Sequence, residues 1–372
     1  MPFIQCTREA LLKPLQTVGG IVEGRQTVAI LSNILIEKQN ETVYFTTTDL
    51  EIQTKTKAAV GCGEGDFSTT LPAAKLTALL NAISGNGTEV SLENDGRHIL
   101  LKANASKFSL VPLPADGYPQ LPVSEMDVHI TLPASVLKHL IQMVHFAMAQ
   151  QDVRFYLNGM LLVLDGKMVR AVATDGHRLA CCDSEMDTEV TEKVEAILPR
   201  KTIQQLMKLL PDNDDPVTID MGPQQARFTF GEIEFLTKLI DGKYPDYSRV
   251  IPTNNDKRFL VNREELIGAL RRAAILANEK FKGLRWVITP GKLHIQSANN
   301  EMEEASEDIK INYEGPDLDL GFNVTYLLDV LGNLKNSDVC FAFSSSQGAT
   351  LLTMPESEQF RYYAGFPSER GR

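Results

Sequence analysis

The sequence predicts an α+β protein of three similar domains, each with two helices and several antiparallel strands. Short segments recur at close to a third of the chain length, and each recurrence mixes helical periodicity with strand-like alternation. The length of 372 residues sets the scale, being more than one ordinary core organises.

Three segments near the unit starts align: Cys6-Thr7-Arg8-Glu9-Ala10-Leu11-Leu12, Leu132-Pro133-Ala134-Ser135-Val136-Leu137-Lys138 and Val261-Asn262-Arg263-Glu264-Glu265-Leu266-Ile267. Their leucines Leu11, Leu137 and Leu266 are spaced by 126 and 129 residues. A second set begins at Leu71-Pro72-Ala73-Ala74-Lys75, Leu198-Pro199-Arg200-Lys201-Thr202 and Phe322-Asn323-Val324-Thr325-Tyr326, spaced by 127 and 124 residues. Thr48-Asp49 is echoed by Thr174-Asp175 and, more faintly, by Asn299-Asn300. A period this long repeats whole domains instead of stacking short solenoid units.

Leu11–Val18, Val136–Val144 and Leu266–Ile275 carry apolar residues at helical spacing. Thr7 and Asn262 are the expected N-caps, with Glu265 as a capping-box partner for Asn262, and Pro14 is expected to kink or interrupt the first helix. Second helices are predicted over Ala73–Ile83, Lys201–Leu210 and Val324–Leu334. Alternating, β-rich runs lie between them, among them Thr42–Thr48, Met160–Leu164, Met168–Ala173 and Lys292–Ser297. Units change near Ser124-Glu125-Met126 and Thr253-Asn254-Asn255, giving domains 1–125, 126–253 and 254–372.

With 43% hydrophobic and 23% charged residues the composition is that of a soluble globular protein. No run of about 18 apolar residues predicts a membrane span, and no secretory signal is expected. Cys6, Cys62, Cys181, Cys182 and Cys340 form no C-x-x-C spacing, which fits mostly buried thiols in a reducing cytoplasm. The formal charge of −11 disfavours nucleic acid only if charge is spread evenly over the surface.

Catalytic patterns are sparse. The chain holds no G-x-x-x-x-G-K-[ST] loop and no G-x-S-x-G elbow. Gly61-Cys62-Gly63-Glu64-Gly65 has the wrong spacing for a phosphate loop and precedes a strand, Phe67–Thr70, so it reads as a flexible hairpin. His139 and His145 do not share a helix face. The acidic run Glu301, Glu303, Glu304, Glu307 and Asp308 reads as a solvated face or one that meets a basic partner, in preference to a magnesium site. Thr174-Asp175-Gly176-His177-Arg178-Leu179 is the nearest thing to a catalytic cluster, with Asp175 and His177 as an acid/base pair. It has no nucleophile or metal partner nearby, and a turn supporting a binding groove is the preferred reading. No cofactor or metal is expected. A repeat-built scaffold that meets no DNA is a further alternative.

Several motifs are more specific: Leu12-Lys13-Pro14-Leu15, Gln151-Asp152-Val153-Arg154-Phe155-Tyr156-Leu157-Asn158-Gly159, Ala173-Thr174-Asp175-Gly176-His177-Arg178-Leu179-Ala180, Tyr244-Pro245-Asp246-Tyr247, Ala273 to Phe281 and Gly321-Phe322-Asn323-Val324. On these the chain resembles the β subunit of bacterial DNA polymerase III, the sliding-clamp family, over nearly its whole length. The resemblance implies three clamp domains per subunit and a head-to-tail homodimer, a six-domain ring with sheets outside and helices inside. Twelve helices each about 10–12 Å across would surround an opening on the order of 30 Å, room for duplex DNA and water. It implies a processivity factor without catalysis that tethers polymerase subunits and also binds the clamp loader and repair and mismatch-repair proteins.

The resemblance also implies where charge sits: Lys13, Lys138, Arg200, Lys201, Lys208, Arg271, Arg272 and Lys335 on the helices would face the hole, binding double-stranded DNA independently of sequence. Arg25, Gln151, Arg154, Tyr156, Lys201 and Arg272 are the DNA-contact candidates, with Phe155 where the enterobacterial motif has a second Tyr. A partner-peptide groove would use Leu157, Thr174, Gly176, His177, Arg178, Leu179, Pro245, Arg249 and Val250, taking a short peptide with a Gln and apolar anchors. Core packing is the plain alternative for Leu157, Leu179 and Val250. At the dimer interface, Lys75, Lys107, Phe108 and Leu110 of one subunit would meet Ile275, Leu276, Glu301, Glu303 and Glu304 of the other. The family usually closes its groove with a Met-Pro-Met-Arg-Leu-like end. This chain ends Arg361-Tyr362-Tyr363-Ala364-Gly365-Phe366-Pro367-Ser368-Glu369-Arg370-Gly371-Arg372, where Tyr363, Phe366 and Pro367 are the candidate replacements.

Overall fold

The structure, a computed structural model, describes residues 1–22, 27–250, 255–345, 348–355 and 357–364, without the side chain of Val250. The first repeat runs β1 (Pro2–Thr7), α1 (Arg8–Gly19), β2 (Asn33–Gln39), β3 (Thr42–Thr48), β4 (Ile52–Ala58), β5 (Phe67–Pro72), α2 (Ala73–Ala82), β6 (Glu89–Asn94), β7 (Ile99–Ala103) and β8 (Ser106–Leu110). The second runs β9 (Val128–Pro133), α3 (Ala134–Val144), β10 (Gly159–Thr174), β11 (Arg178–Pro199), α4 (Arg200–Leu209), β12 (Pro216–Met221), β13 (Gln225–Phe230) and β14 (Ile233–Lys238). The third runs β15 (Lys257–Asn262), α5 (Arg263–Ile275), β16 (Gly283–Thr289), β17 (Lys292–Ala298), β18 (Glu304–Lys310), β19 (Leu318–Asn323), α6 (Val324–Asn333), β20 (Asp338–Phe343), β21 (Thr350–Met354) and β22 (Ser357–Ala364).

The helices lie where periodicity put them. Thr7 caps α1 by accepting from Ala10 N, and Asn262 caps α5 by accepting from Glu265 N at 3.0 Å. Pro14 does not interrupt α1, contrary to expectation. It lies on the buried face with Leu11, Leu15 and Val18, and that packing offsets the lost Ala10 carbonyl bond. The expected strands Met160–Leu164 and Met168–Ala173 are one strand, β10. Both halves pair with β11, with register shifts around Gly166.

Two sheets cross the junctions between repeats. An eight-stranded sheet runs β5-β2-β3-β4-β14-β13-β12-β9, joining the first repeat to the second through β4 and β14. A six-stranded sheet runs β10-β11-β22-β21-β20-β15, joining the second repeat to the third through β11 and β22. Two four-stranded sheets, β1-β6-β7-β8 and β18-β17-β16-β19, complete the set among the described residues. The chain forms two compact units, residues 1–135 with 204–239 and residues 136–203 with 240–372. Strand pairing assigns each half of the central repeat to its neighbour. In the first unit α1 and α2 bury Leu11, Leu15, Leu76 and Leu80 against Ile34, Phe45, Leu92 and Leu101. In the second, Trp286 packs against Phe322 and Phe341 at ring-centroid distances of 4.6 and 5.2 Å.

The repeat extends to single hydrogen bonds. In the first unit Thr48 Oγ1 donates to Ile52 O and accepts from Leu50 N, Asp49 Oδ1 accepts from Glu51 N and Ile52 N, and Thr48 N donates to Tyr118 Oη. In the second unit Thr174, Asp175 and Tyr244 make the same set around Gly176, His177 and Arg178.

Gly61–Gly65 is tied down and is not an open hairpin: the buried Lys38 ammonium donates to Gly63 O and Gly65 O at 3.0 and 2.5 Å. Carbonyls that face an ammonium cannot cradle a phosphate. Cys181 and Cys182 are buried, while Cys6, Cys62 and Cys340 are only half-buried. Burial pushes the Cys181 thiol up to about 11.

Candidate partner-binding cleft

The turn between β10 and β11 is built by its own side chains. Thr174 and Asp175 bind backbone N–H groups two and three residues on, the geometry Thr and Asp favour in tight turns. Gly176 has φ +89°, which glycine adopts without strain, and its missing Cβ lets Arg154 Nη1 lie 2.9 Å from where that atom would stand.

Arg178 anchors the turn. Its Nε donates to Asp175 Oδ2 at 3.0 Å, Nη1 to Asp329 Oδ2 at 2.7 Å and Nη2 to Phe146 O at 2.7 Å, while the guanidinium lies 4.4 Å from the Tyr326 ring centroid. Its side chain is only 9% exposed, so truncation would strand two carboxylates in a partly dry setting. Arg178→Met is expected to cost about 3 kcal/mol. The cost would be read as an earlier denaturant midpoint, with faster hydrogen exchange at the His177 and Arg178 amides.

Asp175 is occupied by this turn. It binds the backbone N of His177, not the ring, and the imidazole instead stacks on Tyr326 with centroids 6.5 Å apart. The acid/base arrangement considered from sequence is not the one formed.

Beside the turn lies a cleft of about 420 Å³, lined by Arg154, Tyr156, Leu157, Thr174, Gly176, His177, Arg178, Leu179, Pro245, Asp246, Tyr247, Ala349 and Tyr363. Leu157 and Leu179 are buried in an apolar cluster with Leu161, Val163, Val172, Tyr244 and Tyr363, so they are core and cleft floor at once. Seven residues predicted for the groove line it: Leu157, Thr174, Gly176, His177, Arg178, Leu179 and Pro245. Arg249 does not. It is exposed and pairs with Asp246 at 2.9 Å, and Asp246 is the residue that reaches the cleft. Nothing is described for the Val250 side chain, and Phe366 and Pro367 lie outside the described residues.

Arg154 and Tyr156, expected at DNA, line this cleft too. Arg154 forks onto Asp152 at 3.0 and 2.9 Å and reaches Asp175 O, and this bonding holds the Asp152 carboxyl down at about 2. A second, polar cavity of about 520 Å³ shares His177 and Arg178 with the first and adds Gln150, Asp152, Arg200, Tyr326 and Asp329. The pair offers an apolar seat beside a hydrogen-bonding one. Sequence reasoning missed Tyr247 and Ala349. Tyr247 stands inside a motif already recognised, whereas no local signal marks Ala349.

The remaining DNA candidates are Arg25, Gln151, Lys201 and Arg272. Arg25 lies outside the described residues. Gln151 is exposed at φ 56°, and Lys201 is half-buried on α4. Arg272 is already neutralised, forking onto Glu307 at 2.7 and 2.8 Å, whereas its exposed neighbour Arg271 has no described ion-pair partner.

Among the interface candidates, Lys75 and Lys107 are exposed and Phe108 is half-buried, but Leu110 belongs to the core of its own unit. Ile275 is 77% exposed, Leu276 is half-buried, and Glu301, Glu303 and Glu304 are exposed. Two further apolar side chains near them, Phe281 and Met302, are also exposed. Among the described residues no group of three or more His, Cys, Asp or Glu side chains is placed to hold a metal ion.

Family models of the DNA polymerase III beta subunit match residues 1–122 (N-terminal domain), 131–246 (central domain) and 248–364 (C-terminal domain). The chain is 42% identical to the beta sliding clamp of Pseudomonas putida over 355 residues, covering 95% of this chain and 96% of that one. It is 39% identical to that of Escherichia coli K12, with the same coverage. A crystal structure of the DNA polymerase sliding clamp from Pseudomonas aeruginosa with ligand superposes with a TM-score of 0.95 at 39% identity, covering 99% of this chain and 100% of that one.

Proposed function

The chain belongs to the DNA polymerase III beta-subunit family, and on that premise we propose that two copies close into a ring around duplex DNA and hold partner proteins at the cleft beside Thr174–Leu179. It is a DNA sliding clamp, a processivity factor for replication. Catalysis is left to its partners. The domains are 1–125, 126–253 and 254–372.

One observation carries the ring: both junctions inside the chain obey a single strand-pairing rule. The strand after the Thr-Asp turn of one repeat pairs with the last strand of the next. Ile52 at the head of β4 lies opposite Thr237 of β14, and Arg178 at the head of β11 lies opposite Ala364 of β22. In the third repeat the same place is Glu303, bonded back to Asn299 as Ile52 is to Asp49, one residue before β18. In the first repeat the counterpart of Thr237 is Leu110, each four residues past the start of its hairpin strand. Among the described residues β8 and β18 each end a sheet with an edge that pairs with no further strand. The rule therefore pairs β8 of one copy with β18 of the other, Leu110 opposite Glu303 and Lys107 opposite Ser306. Lys107 is then diagonal to Glu304 on the same face. A head-to-tail contact of this kind closes when six repeats turn through about 60° each.

DNA would be held loosely by Arg25, Gln151, Lys201 and the exposed helix cations, among which Arg271 replaces the neutralised Arg272. The cleft would receive peptides from polymerase subunits, the clamp loader and repair and mismatch-repair proteins, with apolar anchors on Leu157, Leu179 and Tyr247 and a Gln over the polar cavity. No described helix is long and apolar enough to cross a membrane, and five free thiols support a cytoplasmic setting.

Topological holding has a direct test. Protein loaded on nicked circular DNA should stay bound in about 0.5 M salt, where phosphate contacts are weak, and should leave once the circle is cut. Equal retention on both forms would mean affinity, not encirclement.

A further inference from the structure

The cleft is one end of a longer surface. Across the six-stranded sheet the partners Leu179↔Tyr363, Tyr363↔Leu351, Leu351↔Ala342 and Ala342↔Arg258 form one row. Partners directly opposite share a sheet face, so this row leads from the cleft floor to Arg258. From Tyr363 to Arg258 it crosses three strand spacings, roughly 14 Å.

Over the far half of the row lies a separate cavity of about 790 Å³. Leu351, Ala342 and Leu260 give it an apolar floor, with Arg258 and Arg361 at its sides. Leu351 also packs against the cluster beneath the cleft, so the two depressions share a wall.

The lining carries two arginines, Arg258 and Arg361, against one carboxylate, the exposed Glu358, a net positive charge in a chain whose total is −11. Arg258 is exposed and pairs with no described carboxylate. Among the described residues Arg361 pairs with Asp183 alone and shares it with Arg170, which binds it at 2.5 and 2.8 Å. Burial alone would raise the Asp183 carboxyl, yet Arg170 and Arg361 hold it below the usual range. Two guanidiniums on one carboxylate leave a positive excess. Arg170 also donates to Tyr247 Oη at 3.3 Å, which ties this network to the cleft wall.

We propose that this cavity is a second contact for the protein whose peptide sits in the cleft, taking an acidic segment that flanks the peptide, with an apolar side chain over Leu351 and Leu260 and a carboxylate at Arg258. The proposal rests on the cleft reading. Apolar floor, cationic sides and continuity with the cleft favour such a segment over a free small anion, which would gain nothing from the apolar floor.

The test uses the full-length protein and fluorescent synthetic peptides: a core with one Gln and apolar anchors, and the same core extended at either end by Leu-Asp-Asp through a four-glycine spacer. One extended peptide should bind about 10-fold tighter than the core, as a charge-assisted contact of about 1.4 kcal/mol gives. Arg258→Ala and 0.5 M salt should each remove that gain, with Arg258→Ala leaving core binding unchanged. Equal affinity of core and both extended peptides, or a gain that survives Arg258→Ala, would overturn the second contact while the cleft stands. Failure of the core itself to bind would instead overturn the cleft. Free glutamate competing as well as the extension would reduce the site to a small-anion site, which also overturns the proposal.

Discussion

Leu179→Asp should weaken binding of a Gln-containing peptide with apolar anchors by at least about 100-fold. Leu179 is buried in the cleft floor against Tyr244 and Tyr363. Its own surface is nearly all covered before a peptide arrives, so the loss comes from the carboxylate placed in that floor, which costs about 3 kcal/mol or more to desolvate when a peptide covers it. This exceeds the roughly 2.7 kcal/mol that corresponds to 100-fold. Leu179→Met keeps volume and polarity and should stay within a few-fold of the parent. Since a buried charge can also disturb folding, Tyr247→Ala at the half-exposed wall provides a second reading, with a loss of about 10-fold expected. Fluorescence anisotropy on material that still sediments as a dimer measures all three. Undiminished binding by Leu179→Asp would place the peptide elsewhere.

The second large effect concerns the open edges. Lys107→Glu and Glu304→Lys should each separate the two copies, because each puts like charges diagonally across the pairing of β8 with β18. Such a pair costs up to about 1 kcal/mol beyond the lost attraction. A closed dimer contains the contact twice, so the dissociation constant should rise by about 30-fold or more. The double variant restores opposite charges and should recover most of the dimer. Sedimentation over a dilution series decides the matter. A double variant as dissociated as either single one would show that the register inferred from the internal junctions is wrong.

Local physics made the helices legible. Threonine and asparagine caps and apolar stripes fixed all six to within a few residues, and even Pro14 could not break a face as apolar as Leu11, Leu15 and Val18. The sequence splits β10 into two runs because the polar Asp165-Gly166-Lys167 interrupts the apolar alternation. Whether such a segment turns or continues depends on the partner strand, which sequence does not display. The cleft was legible where its residues fall in one turn, Thr174 to Leu179. It was illegible where strands far apart in sequence meet, as at Ala349. Arg154 and Tyr156 were assigned to DNA, yet the short turn at Phe155–Leu157 brings them to the cleft. Arg271 and Arg272 are adjacent and differ in helix face by about 100°. Only the fold reveals that Glu307 occupies the second.

The paired turns have a consequence for traffic. Thr48-Asp49 and Thr174-Asp175 are built by the same bonds, but the first continues with Leu50, at φ 74°, where the second has Gly176. Leu50 puts an exposed side chain where Gly176 has none and Arg154 lies close instead. The same frame thus recurs, and the copy with glycine is the one that lines the cleft. A two-copy ring would offer two seats, so polymerases and repair factors must queue for them, and their order of service follows from relative affinity and local abundance.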